Sequence, residues 1–173
     1  MADISNIVKS LQNIMWKDPG VSGDAQRIEQ LGWMITLKIL DDKDAELELL
    51  DEEFVSVIPE EIRWRSWAAD SEGITGDALK EFVDAKLFPT LQNLDVSDGN
   101  KRSILIRDIF AGTNNYMKNG TIIRQVVNKL NEMILMPVMT ATLLVIFTKI
   151  SCVIYKVPEI MVSFILPEPL QKL

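Results

Sequence analysis

Apolar residues recur at helical spacing through residues 24–42, DAQRIEQLGWMITLKILDD. Ile28, Leu31, Ile35 and Leu40 form a stripe that Met34 and Leu37 widen. Arg27, Glu29 and Lys38 fall on the other side, and Asp41 and Asp42 close the run. Gly32 inside the pattern costs about 1 kcal/mol relative to alanine, which points to a close backbone approach there. Burying each Leu, Ile or Met of the stripe stabilises by about 1.5–3 kcal/mol, more than one glycine costs. A face this wide needs cover on both flanks. The segment is therefore expected to be the central helix of an all-α domain.

The rest of the chain supplies that cover. Ile4, Ile7, Val8, Leu11, Ile14 and Met15 predict a first amphipathic helix with Asp3 as N-cap, stopped at Lys17-Asp18-Pro19-Gly20. Residues 44–54 are acidic and Leu-rich and predict a helical extension with a solvated acidic face. Residues 57–67, VIPEEIRWRSW, predict an ordered connection whose Trp64 and Trp67 lie as lids on the core. The alternative for this pair is a base-stacking platform, which calls for a denser set of cations around it. Asp77 is the expected cap of a third strong helix reaching Leu94, with Leu79, Phe82, Val83, Leu87 and Leu91 inward and a kink or early end at Pro89. A turn over 95–100, a short helix over 103–110, a Gly/Asn-rich loop over 111–120 and a last helix over 121–132 follow. Ile123, Val126, Val127 and Leu130 face inward in that last helix. The fold class is all-α, a helical bundle of five to six helices followed by an apolar tail unlike a native domain.

Composition narrows the chemistry. The net charge of −7 argues against a general nucleic-acid surface, which needs clustered Lys and Arg. Histidine is absent and Cys152 is the single cysteine, which removes Ser/His/Asp and Cys/His catalysis and most zinc sites. One cysteine forbids an internal disulfide and fits a cytoplasmic location. Residues 1–10 lack the basic-then-apolar pattern of a signal peptide. Charge is also unevenly spread. Residues 1–132 hold 15 Lys+Arg against 23 Asp+Glu, whereas residues 133–173 hold 3 Lys and 2 Glu. The expected boundary lies at about Glu132.

Candidate sites are few. The Asp/Glu run at 41–53 lacks a ring of convergent ligands and reads as a solvated face. The stretch FAGTNN from Phe110 has one glycine, no Walker lysine and no preceding strand, so it is a loop and no phosphate cradle. Lys101, Arg102 and Arg107 form the best basic patch, a weak phosphate-contact candidate against the blander reading of a solvated helix end. No catalytic, cofactor-binding or metal-binding residue can be named.

Three ordered blocks carry a family resemblance: IVKSLQNIMW near the start, AQRIEQLGWMITLKILDD, and VIPEEIRW with a second Trp three residues on. With the later IRDIFAGTNNYM and VVNKLNE, residues 4–132 resemble the N-terminal helical domain of the modification subunit of type I restriction-modification systems. These subunits are adenine-N6 DNA methyltransferases that use S-adenosylmethionine. The resemblance implies a domain that precedes the catalytic domain and helps to assemble the subunit with the specificity subunit and the other modification and restriction subunits around DNA. It implies S-adenosylmethionine only for the intact family. The cofactor glycines and the Asn-Pro-Pro-Phe/Tyr motif belong to the later domain and occur nowhere in this chain, so it is expected not to be an enzyme as it stands.

The tail departs from the family in an informative way. After NKLNE the chain reads MILMPVMTAT, where the family continues in the style of DFNxSDDRH. Back-translated as ATG-ATT-TTA-ATG-CCA-GTG-ATG-ACC and regrouped from the third base of the Met133 codon, this stretch becomes D-F-N-A-S-D-D. Regrouping through Lys172 permits a family-like string ending in G-E-F-Y-T-P-R-A-I-T-K-V. Residues 133–173 thus read as out-of-frame translation of a family gene that lost one base. The competing reading is a tail-anchored membrane protein with a cytoplasmic helical head, because residues 133–155 are apolar with only Lys149 charged. Against it stand Pro137 and a Val/Ile/Thr mixture with neither helical nor strand period.

Nucleotide sequencing through codon 133 and downstream tests the lost base. The shifted frame should stay open beyond Leu173 and encode first a cofactor-binding glycine turn, then an Asn-Pro-Pro-Phe/Tyr motif. Downstream DNA that encodes no such motif in any frame would make the apolar tail a genuine feature.

Overall fold

A 27-residue helix, α2 (Asp24–Leu50), runs through the centre of the described part of the chain. The computed structural model describes residues 4–134, with side chains for residues 9–132. Before α2 comes α1 (Ile4–Met15), whose Leu11 and Met15 are buried. After it come a 3-10 turn (Glu60–Ile62), the one-turn α3 (Trp64–Trp67), α4 (Gly76–Glu81), a π-helical stretch (Phe82–Leu87), α5 (Phe88–Gln92), α6 (Lys101–Ala111) and α7 (Gly120–Ile134). Taken with its π stretch as one rod, α4–α5 brings the total to six helices, and no strand occurs among the described residues. The expected all-α class is observed. Met1–Lys129 form one compact unit. The second unit, Leu130–Leu173, enters the description only as the last turn of α7. Asp3 and the apolar residues 4–8 and 133–173 of the sequence reading lie outside the described side chains.

The apolar stripe of α2 is rotated from the one read off its spacing. Trp33, Met34, Ile35, Leu37, Ile39 and Leu40 are buried, as is Gly32, whereas Ile28 and Leu31 are half-buried. Arg27, expected on the solvated side, is buried instead. Its guanidinium donates to the Val21 carbonyl at 3.1 Å, pairs with Asp24 and lies 4.4 Å from the centre of the Trp16 ring. The large indole of Trp33 claims the inward position that spacing alone had divided among smaller residues.

Two aromatic series join the rods. Trp33 meets Phe88 edge-on at 5.2 Å, and Phe88 meets Phe110 at 6.1 Å, linking α2, α5 and α6. Trp64 meets Trp67 at 5.3 Å, and Trp67 meets Phe82 at 5.5 Å. Such tilted and edge-on pairs contribute about 0.5–1.5 kcal/mol each beyond the area they bury. Both tryptophans of the 57–67 connection are buried, so they are core lids; the stacking-platform alternative is overturned because neither ring reaches solvent.

Element boundaries differ from the sequence reading where backbone groups find unexpected partners. The cap of the third helix is Thr75, not Asp77; Gly76 at φ +59° turns the chain into the helix, and Asp77 falls in the first turn near the positive end of the helix dipole. Pro89 neither ends nor breaks this rod. A proline inside a regular α-helix strands one carbonyl and crowds the preceding turn. Here the wider π turn just before it relieves that crowding, with the Phe88 N–H bonding back to the Val83 carbonyl. Helix α6 starts earlier than expected because the Asn100 side chain accepts from the Arg102 N–H at 2.9 Å. Helix α2 continues to Leu50 and stops as the Asp51 N–H caps the Leu47 carbonyl.

Asp18, read from the sequence only as part of a helix stop, ties the two ends of the unit together. Its buried carboxylate accepts from the N–H groups of Gly20 at 2.8 Å, Lys118 at 2.9 Å and Asn119 at 2.9 Å. Asn119 in turn accepts from the Thr121 N–H at 2.9 Å, starting α7. The approach is tight: a Cβ added to Gly20 would stand 1.8 Å from the Tyr116 carbonyl oxygen. At the start of α7 the same is true of Gly120, whose added Cβ would stand 1.7 Å from the Gly76 carbonyl oxygen. Glycine is required at both positions by space.

Asp18→Ala leaves three backbone donors without their acceptor and should lower stability by about 3 kcal/mol. Urea unfolding of the variant followed by circular dichroism would read this as a fall in midpoint with an unchanged slope. A midpoint equal to that of the parent chain would refute the anchoring role.

Candidate functional site

The acidic run at 41–53 divides into two populations. Asp41, Asp44 and Glu48 stand at i, i+3 and i+7 and share one face of α2, where the chain turns back over them. Asp41 is buried and accepts from the Arg65 N–H and from its Nε, both at 2.8 Å. Arg65 also bonds Glu48 at 2.8 Å, and Arg63 bonds the other oxygen of Glu48 at 3.0 Å. Bonding to Asp41 is the main reason the Arg65 guanidinium is held more firmly protonated than usual, with burial opposing. Asp44 is fully buried and accepts from the Ser56 hydroxyl and from Arg102 Nη2. The solvated-face reading therefore fails for Asp41 and Asp44, whose cationic partners come from segments well separated in sequence. It holds for Asp42, Glu46, Asp51, Glu52 and Glu53, which are exposed.

The three phosphate-contact candidates do not act together. Arg102 is half-buried and committed to Asp44. Arg107 pairs with its neighbour Asp108 at 3.3 Å. Lys101 is exposed at the start of α6. The FAGTNN stretch is held by side chains: Gln92 donates to the carbonyls of Phe110 at 3.1 Å and Thr113 at 3.0 Å, and buried Gln30 donates to the Asn114 carbonyl at 2.9 Å.

Arg124 was not singled out in the sequence, although an arginine inside the apolar stripe of α7 was a signal. It is buried and donates to the carbonyls of Trp67 at 2.9 Å, Asp70 at 3.1 Å and Ile74 at 2.6 Å, so one guanidinium gathers the whole 67–74 connection. Burial lowers its pKa, with Asp70 opposing, and it stays charged at neutral pH. This arrangement is architectural. Among the described residues no group of three or more His, Cys, Asp or Glu is placed to hold a metal. What remains for function is surface: the exposed Trp16 stacked on Arg27, and Leu49, Leu50 and Val55 at the far end of α2.

Residues 4–130 match the family described as the HsdM N-terminal domain. The chain belongs to this family. It is 57% identical over 130 residues to the type I restriction enzyme EcoEI methylase subunit of Escherichia coli. That match covers 75% of this chain and 26% of the relative, so the chain spans about a quarter of that subunit's length. Among solved structures it is similar to a modification subunit of a putative type I restriction enzyme from Vibrio vulnificus YJ016, at 34% identity and a TM-score of 0.68. That likeness covers 88% of this chain and 36% of the other. A structure concerned with complex assembly and conformational transition of the type I R-M system shares the fold at a TM-score of 0.71 and 24% identity, over 96% of this chain and 33% of that one. The family resemblance read from the sequence is thus observed. No helix among the described residues is long and apolar enough to cross a membrane. Of residues 133–155, which carry the membrane alternative, all but the first two lie outside the described residues.

Within this HsdM N-terminal domain the Asp44–Arg102 pair should behave as a buried charge pair. Arg102→Met leaves the fully buried Asp44 carboxylate with only the Ser56 hydroxyl and should cost about 3–5 kcal/mol. Adding Asp44→Leu removes the stranded charge and should restore a substantial part of that loss. A thermodynamic double-mutant cycle checks this, and purely additive effects would show the pair to be uncoupled.

Proposed function

We propose that the chain serves as the non-catalytic assembly and DNA-clamping domain of a type I restriction-modification adenine methyltransferase subunit. It acts in the cytoplasm, holding the specificity subunit and the other modification and restriction subunits together around DNA. The observation that carries this reading is the match of residues 4–130 to the HsdM N-terminal domain, together with a match that covers about a quarter of the Escherichia coli methylase subunit. The physical character of the domain supports it. Asp41, Asp44 and Glu48 join α2 to the segments around it, and the surface at the end of α2 is apolar and acidic.

In this reading S-adenosylmethionine binds the catalytic part of an intact subunit and not this chain, which lacks both the glycine turn and the Asn-Pro-Pro-Phe/Tyr motif. DNA is met as part of the assembly. Of the three basic candidates, Lys101 is the one offered to a phosphate, because Arg102 and Arg107 already have carboxylate partners.

Two measurements on the purified 173-residue chain test the reading. Calorimetry with S-adenosylmethionine should give no saturable heat, and incubation with DNA should transfer no methyl group to adenine. Gel filtration with the specificity subunit of the same system should give a co-eluting complex. Saturable cofactor binding would overturn the non-catalytic part, and failure to associate would overturn the assembly part.

A further inference from the structure

We propose that the end of α2 is a docking surface for a basic amphipathic segment of a partner polypeptide. The proposal rests on the assembly reading above and deepens it by naming the chemistry the partner must present. Leu49 is 88% exposed, Leu50 77% and Val55 80%; the two leucines end α2 and the valine follows in the segment that leaves it. Single exposed leucines need no explanation, but three large apolar residues in seven positions form a patch of the kind that marks an interaction site.

The turn that carries them is fixed. The Asp51 N–H bonds the Leu47 carbonyl at 2.9 Å, and the Phe54 N–H bonds the Asp51 carbonyl at 3.1 Å. Ser56 is then tied to buried Asp44, and its hydroxyl also accepts from the Ile58 N–H at 3.1 Å. The patch is thus presented on a braced support, and binding there loses little conformational entropy.

Charge selects the occupant. Asp51, Glu52 and Glu53 are exposed between the leucines and the valine, and none of them forms an ion pair among the described residues. Three uncompensated carboxylates repel the phosphates of nucleic acid and of anionic lipid. They also disfavour a two-fold contact with a second copy, which would set the same carboxylates against each other. A protein segment with apolar residues on one side and Lys or Arg along its edges satisfies both the patch and its rim.

Biolayer interferometry with the 173-residue chain immobilised tests this with two probes. One is the purified specificity subunit of the same system; the other is a synthetic helical peptide with leucine on one face and arginine on its flanks. Two variants are compared with the parent: Leu49→Asp with Val55→Asp, and Glu52→Lys with Glu53→Lys. All four positions are exposed, so far-ultraviolet circular dichroism should be unchanged. Each double variant should weaken binding of both probes about tenfold or more, with the parent's affinity falling as salt is raised. Peptide binding that is absent, or equal in parent and variants, overturns the docking surface. Specificity-subunit binding that survives both variants also overturns it while leaving the assembly reading intact. Variant-sensitive peptide binding without any specificity-subunit binding supports the surface and overturns the assembly reading.

Discussion

A buried polar group left without a partner is costly, and the partners found by the polar groups of α2 shape the domain around it. The helix is 27 residues long, and its inward face carries Gln30, Asp41 and Asp44 as well as Trp33 and the aliphatic residues. Each of these polar side chains is answered by a different segment: Gln30 by the loop before α7, Asp41 by α3, and Asp44 by the turn after α2 and by α6. Apolar contact would let the surrounding helices slide along α2 at small cost. Directed bonds at three heights fix their positions along it. A hydrophobic face thus supplies the drive to pack, and the buried polar groups supply the register.

The legible part of the fold was the part governed by local period. The stripe through Leu79, Val83, Leu87 and Leu91 and the one through Ile123, Val126 and Val127 are buried as spaced, and the 57–67 connection proved ordered with its tryptophans inside. What the sequence did not disclose was which charges go inward. Arg27, Asp44 and Arg102 look like ordinary surface residues until the chain folds, because local period does not place the carbonyls, hydroxyl and opposite charges they meet; Arg124 alone carried a signal, its place inside an apolar stripe. The patch of Lys101, Arg102 and Arg107 shows the same effect in reverse: of three cations close in sequence, Arg102 and Arg107 are taken by different acids. Family motifs supplied what periodicity could not, since they report the identity of a whole surface and not the position of one side chain.

The acidic character of the chain also divides by role. Asp41, Asp44 and Glu48 are neutralised by arginines and belong to the architecture, whereas Asp51, Glu52 and Glu53 stay in solvent. Net charge alone makes no such distinction. One set holds the helices of the domain together, and the other leaves its surface negative.

The span of the Asp18 bonds has a consequence for how the chain is made. The carboxylate and the Lys118 and Asn119 amides it accepts from are 100 and 101 residues apart. During synthesis the first helix and its turn leave the ribosome long before those amides exist, so Asp18 remains hydrated while α2 and α3 are already emerging. Ribosome-bound intermediates that stop short of residue 118 therefore hold an N-terminal turn whose carboxylate lacks two of its three amide partners. Arrival of the segment just before α7 is the event that closes the turn, and until then it stands open to cellular chaperones and proteases.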